Sequence, residues 1–165
     1  MPEMFILLIF PAAMAFSAAM DLFTMTISNR ISIGLVLGFF LSAFVIGMPG
    51  DQILLHLGAG LAMLVIGFLM YLPGWIGGGD AKLFASTALW LGWGVLFDYV
   101  LLATLAGGVL TLALLFVRTI PLPGMIVRQD WAARLHEPRG KIPYGIALAA
   151  AGLAVYPSTV WMAGL

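Results

Sequence analysis

Two aspartates, Asp21 and Asp80, are the residues through which this chain can do chemistry. Each stands at the edge of a long apolar stretch. Asp21 closes the first of these, and Asp80 opens a later one directly after the glycines Gly77, Gly78 and Gly79. An ionisable side chain at the edge of a hydrophobic span marks a functional site by default. Two carboxylates held within a few ångströms cannot both ionise easily, so one pKa rises, the other falls, and the pair shares a proton. Such a pair can hydrolyse a peptide. The ionised member takes a proton from water, which attacks the scissile carbonyl, and the protonated member donates to the carbonyl oxygen and later to the leaving amine. No metal, cofactor or covalent intermediate is required, which suits a chain with no cysteine and two histidines. Backbone at Gly77, Gly78 and Gly79 would let an extended substrate approach closely, making these glycines candidate substrate-binding residues. A structural reading stands beside each functional one. Asp80 fits the N-cap of the following helix. Asp21 fits a helix-end acid in water, although a carboxylate at a helix C-terminus opposes the macrodipole. Arg30 or Lys82 fits an ion-pair partner for either acid.

The elements that must position these acids belong in a bilayer. The hydrophobic share is 63% and the charged share 8%, against about half and one quarter in a soluble domain. The 165 residues make one transmembrane domain. A net charge of zero gives no electrostatic case for nucleic-acid binding. The start, Met4 to Met20, is a retained span and not a signal peptide, because Glu3 stands where a signal peptide carries positive charge. Pro11 predicts a kink in it.

Six stretches are long and apolar enough to span: Met4 to Met20, Ile31 to Ile46, Ile53 to Leu72, Ala81 to Phe97, Tyr99 to Val117 and Pro143 to Trp161. They are continuously apolar, whereas a membrane barrel shows alternating strands of about ten residues. The predicted fold is therefore an all-α membrane protein, a bundle of six transmembrane helices. All the basic residues (Arg30, Lys82, Arg118, Arg128, Arg134, Arg139 and Lys141) then fall on one side, with Glu3, Asp51 and Asp98 on the other. The positive-inside rule makes the basic side cytoplasmic, so both termini face out. Asp21 and Asp80 lie together at the cytoplasmic helix ends, and the loop of about residues 118–142 lies on the same side.

Smaller features have local readings. Asn29 is predicted to cap the second helix, and a tight turn is expected around Asp98. Val127, Trp131 and Leu135 recur every four residues, which fits a helix in the membrane interface or one packed on the bundle. His136 reads as a surface loop residue, and His56 as a packing residue or a helix-to-helix hydrogen bond. Gly34 with Gly38, and Gly107 with Gly108, predict close helix packing. Trp90, Trp93, Trp131 and Trp161 predict an interfacial aromatic belt.

The motifs together resemble the type IV prepilin peptidases, which are membrane aspartyl proteases with a Gly-x-Gly-Asp motif. Gly77-Gly78-Gly79-Asp80-Ala81-Lys82 matches the segment around the second catalytic acid of that family. Asp21 followed by Ile27-Ser28-Asn29 is similar to the first motif, with Ser28 in place of proline and with Phe23 and Met25 where basic residues are common. Ile142-Pro143-Tyr144-Gly145-Ile146-Ala147 resembles the opening of the last helix. The resemblance implies that Asp21 and Asp80 are catalytic. It implies a prepilin substrate whose short leader is cytoplasmic and whose hydrophobic helix lies in the membrane. It also implies a bacterial inner-membrane location, a possible link to the pilus assembly machinery, and the short peptidase-only form associated with tight-adherence (Flp) pili, without methyltransferase activity. Two other classes fit the bare acids: a small proton-coupled transporter or channel, and a non-catalytic assembly factor.

Overall fold

Glycine, proline and serine break the apolar sequence into helices of unequal length. A computed structural model describes residues 7–121, 128–138 and 140–162. Its helices are α1 (Ile9–Thr24), α2 (Asn29–Val45), α3 (Gly50–Tyr71), α4 (Gly78–Leu91), α5 (Trp93–Val117), α6 (Asp130–His136) and α7 (Tyr144–Val155), the last running into a 3₁₀ turn, Tyr156–Ser158. All regular structure among the described residues is helical, as the continuous apolar runs predict.

α4 is the central element. Nine of its 14 residues are buried, most of them small or aliphatic. It packs most extensively along α3, and also touches α2, α7 and α5. Gly60 and Gly67, two turns apart on α3, make the close approach possible. A Cβ at Gly60 would lie 3.0 Å from Leu89 Cβ, and one at Gly67 would lie 3.2 Å from Ala81 Cβ. The expected glycine pairs divide. Gly38 meets Ile9 and Trp90, and Gly107 meets the Tyr144 ring, while Gly34 and Gly108 face open space.

α3 and α5 are long and apolar enough to cross a membrane, with mean hydropathies of 2.3 and 2.5. Only 6% of the most apolar window of α5 is buried, and Phe97, Val109 and Leu112 project outward. An apolar exterior on this scale fits a lipid solvent, not water.

Three expectations change. The turn after the fourth apolar stretch falls at Gly92, not around Asp98. Gly92 adopts φ +67, a conformation that glycine enters without penalty, and its N–H closes α4 on the Ala88 carbonyl at 2.9 Å. Asp98 thus lies exposed in the second turn of α5. Trp90 and Trp161 are core residues, not belt residues. Trp161 Nε1 donates to the Trp90 carbonyl at 2.6 Å and Trp90 Nε1 to the Leu35 carbonyl at 2.8 Å. Those bonds satisfy indole N–H groups that burial would otherwise strand, and Phe10 and Phe39 pack on the rings. His136 ends α6 and is not a loop residue. α6 is packed on the bundle: Arg134 donates to the Phe23 carbonyl at 2.6 Å, Arg118 donates to the Leu135 carbonyl at 2.8 Å, and Trp131 meets Phe23 edge to face. Val127, the first residue of that predicted periodicity, lies outside the described residues, as do Glu3 and Met4 at the start of the first span.

One local reading holds. His56 Nδ1 bonds the Leu89 carbonyl at 2.8 Å, linking α3 to α4.

Candidate active site

Asp21 lies in the last turns of α1. The chain leaves that helix through Met25, whose left-handed conformation (φ 55) lets its N–H bond the Asp21 carbonyl at 2.9 Å. Three residues later Ser28 caps α2, accepting from the Arg30 N–H at 3.3 Å. Asn29 is therefore the first helical residue and not the cap. Its side-chain oxygen instead accepts from Lys82 Nζ at 2.8 Å, tying α2 to α4 across 53 residues of sequence. The lysine expected as an ion-pair partner for either acid goes to this amide.

Between Met25 and Ser28 the buried side chain of Ile27 acts as a wedge. On one side it meets Gly79, where a Cβ would lie 3.0 Å from the Ile27 carbonyl oxygen. On the other it meets Gly145, where a Cβ would lie 2.5 Å from Ile27 Cδ1. A side chain at either glycine would have to displace Ile27.

Asp80 sits one turn into α4. Gly77 is the N-cap, and its N–H donates to Asp80 Oδ2 at 3.2 Å. The acid therefore satisfies a free amide at its own helix start, close to the capping role read from the sequence but from inside the helix. Only Gly77 of the three glycines is extended, since Gly78 and Gly79 already belong to α4.

Asp21 is 4% exposed, and its carboxylate accepts the Gly145 N–H at 2.7 Å. Gly145 lies in the first turn of α7, where backbone amides have no helical partner and favour negative charge. Both acids line one cleft of about 780 Å³, together with Gly77, Gly78, Gly79, Lys141 and Tyr144. The six-residue segment ending at Ala147 thus supplies a contact that the sequence did not assign, the Gly145 amide on the Asp21 carboxylate. Residue type carried no signal for it, because any residue but proline just inside a helix start offers an unpartnered N–H.

Residues 8–112 match the model of the type IV leader peptidase family, almost two thirds of the chain and the part that carries both acids. The chain belongs to the type IV leader peptidase family. No curated protein and no solved structure matches it. This leader peptidase is an aspartic endopeptidase that removes the leader peptide from type IV prepilins, and it works in a membrane context. That activity displaces the transporter and assembly-factor readings. The match ends ahead of α7 and does not cover Tyr144 and Gly145, which the fold brings to the acids.

Proposed function

We propose that Asp21 and Asp80 are the catalytic pair of this leader peptidase. The observation that carries the reading is the sharing of one cleft by two acids far apart in sequence, each held by a backbone amide at a helix start. Carboxyl groups so placed share a proton. One takes a proton from water, the water attacks the scissile carbonyl, and the other donates to the carbonyl oxygen. The carbon–nitrogen bond then breaks as the amine takes a proton. Gly77, Gly78 and Gly79 line the cleft where the substrate backbone would run.

In this reading six helices span the bacterial inner membrane, the termini face the periplasm, and the cleft opens toward the cytoplasm. The support is the one-sided placement of Lys and Arg. The substrate is a Flp-like prepilin, cleaved on the cytoplasmic side of its hydrophobic helix. The test is cleavage of a prepilin by folded Asp21→Asn and Asp80→Asn proteins. Near-normal cleavage by either one refutes the pair.

A further inference from the structure

A second cavity, of about 540 Å³, adjoins the cleft and is lined mainly by apolar side chains. Met63 and Ile66 of α3 form one wall. Thr104, Gly107 and Gly108 of α5 form the other, and Leu148 of α7 contributes from the side. Trp75, Ile76, Asp80 and Tyr144 belong to both cavities. The groove is thus continuous with the proposed catalytic cleft, and it ends on one of the two acids.

Its walls indicate what it receives. α3 and α5 are, among the described residues, the two helices that alone reach the length and apolarity to cross a membrane untilted, and they touch each other little. A chain entering between them leaves water, so its backbone N–H and C=O groups must be satisfied internally. Apart from Asp80 and Tyr144 at the cleft end, Thr104 is the polar side chain among the lining residues. An extended segment would be stranded there, whereas a helix carries its own hydrogen bonds. The α5 wall is low, because Gly107 and Gly108 present no side chain, and small residues let two helices approach closely. Gly107 is occupied by the Tyr144 ring, but a Cβ at Gly108 would meet nothing within 4 Å. Gly108 is therefore free to receive a helix from outside the molecule.

We propose that the groove between α3 and α5 docks the apolar helix of the substrate itself, holding it while the adjoining polar segment unwinds across Asp21 and Asp80. This rests on the catalytic reading above. The substrate is bound at two places of opposite chemistry, an apolar helix in the groove and a polar strand in the cleft. The groove, not the acids, then selects membrane-inserted chains over soluble peptides.

Gly108→Leu tests it, because a Cβ there meets none of the enzyme's own atoms within 4 Å and the added side chain takes up groove space. The enzyme is reconstituted in liposomes and given either a full-length prepilin or a soluble peptide that ends a few residues beyond the cleavage point. The expected result is a fall of at least tenfold in kcat/KM on the full-length substrate, carried by KM, and a much smaller change on the peptide. Gly34→Leu, another open glycine but on α2, should alter neither. Equal loss on both substrates, or none on the full-length one, overturns the groove. As a second measure, the chain has no cysteine, so a Thr104→Cys variant carries a unique thiol. It should cross-link to cysteines placed in the substrate helix, and a Leu54→Cys variant on the outer half of α3 should not. Cross-linking only to a second enzyme copy, or protection only by added lipid, would assign the groove to those occupants and refute the proposal. Failure of the catalytic reading is distinguishable, since it would appear as retained cleavage in the Asp21→Asn or Asp80→Asn protein.

Discussion

At the scale of single residues, the proposed chemistry rests on a proton shared between Asp21 and Asp80. Replacing either with Asn leaves a neutral amide that cannot take or give that proton. General acid–base terms are each worth about 10²- to 10⁴-fold, so each variant should lose cleavage on that scale. The double variant should lose little more, because residues acting as a unit are not additive. Prepilin cleavage in detergent measures this, with thermal unfolding run beside it to exclude misfolding. Asp51→Asn and Asp98→Asn, both exposed and away from the cleft, should cleave normally. Independent, multiplicative losses would mean that the acids do not act on one step. Gly145 supplies a second prediction. A methyl group there would lie 2.7 Å from Asp21 Oδ2 and 2.5 Å from Ile27 Cδ1. Gly145→Ala must move one of them, and misplacement of about 1 Å can cost on the order of 10²-fold. We expect kcat to fall by that order while the protein stays folded, and wild-type turnover would remove Gly145 from the site. Both acids were legible in the sequence because a charge at the edge of an apolar span is costly to keep there and is seldom idle. The Gly145 amide was not, because a backbone donor leaves no mark in residue type until the helix start that frees it is placed.

At the scale of elements, the existence and type of the helices followed from apolar run length, but their boundaries depended on packing. The run from Ala81 to Phe97 is uninterrupted in hydropathy, yet it divides at Gly92. No apolarity scale reports that break, because its cause is a backbone conformation and the nearby imidazole of His56. A Cβ at Gly92 would lie 2.8 Å from His56 Cε1. Residue type likewise did not distinguish the buried Trp90 from the half-exposed Trp93, since an indole suits either a core or an interface. Gly92→Ala should therefore destabilise the protein. The positive-φ extended backbone alone (φ 67, ψ 177) costs about 1–3 kcal/mol for a residue with a Cβ, and displacement of His56 from its bond to Leu89 adds to it. Gly94→Ala, two residues on and open on every side, is the matched control. The measurement is the midpoint of thermal unfolding in detergent, and equal midpoints for the two variants would show that the break is not held by Gly92.

At the scale of the whole molecule, helix length and charge bear on where the proposed chemistry would happen. α5 has 25 residues and α4 has 14, or about 37 Å and 21 Å of helix. They share an end at Gly92. If that end lies at the periplasmic boundary of a hydrocarbon core about 30 Å thick, α4 stops short of the cytoplasmic boundary, and Asp80 is sunk below it. The cleft would then be a polar recess entered from the cytoplasm, past Lys141, and joined laterally to the lipid phase by the groove between α3 and α5. This arrangement depends on which side is cytoplasmic, and that assignment comes from the distribution of Lys and Arg. It can be measured directly in a chain without cysteine. Gly50→Cys opens α3 at the end away from the acids, with open space around the new side chain. Gln129→Cys lies exposed just before α6, at the end that carries them. In intact cells an impermeant maleimide should label the Gly50→Cys protein, and should reach the Gln129→Cys protein only after the membrane is opened. Labelling of both from one side would break the six-span reading. The reverse pattern would keep the bundle but turn the cleft toward the periplasm, where a cytoplasmic leader could not enter it.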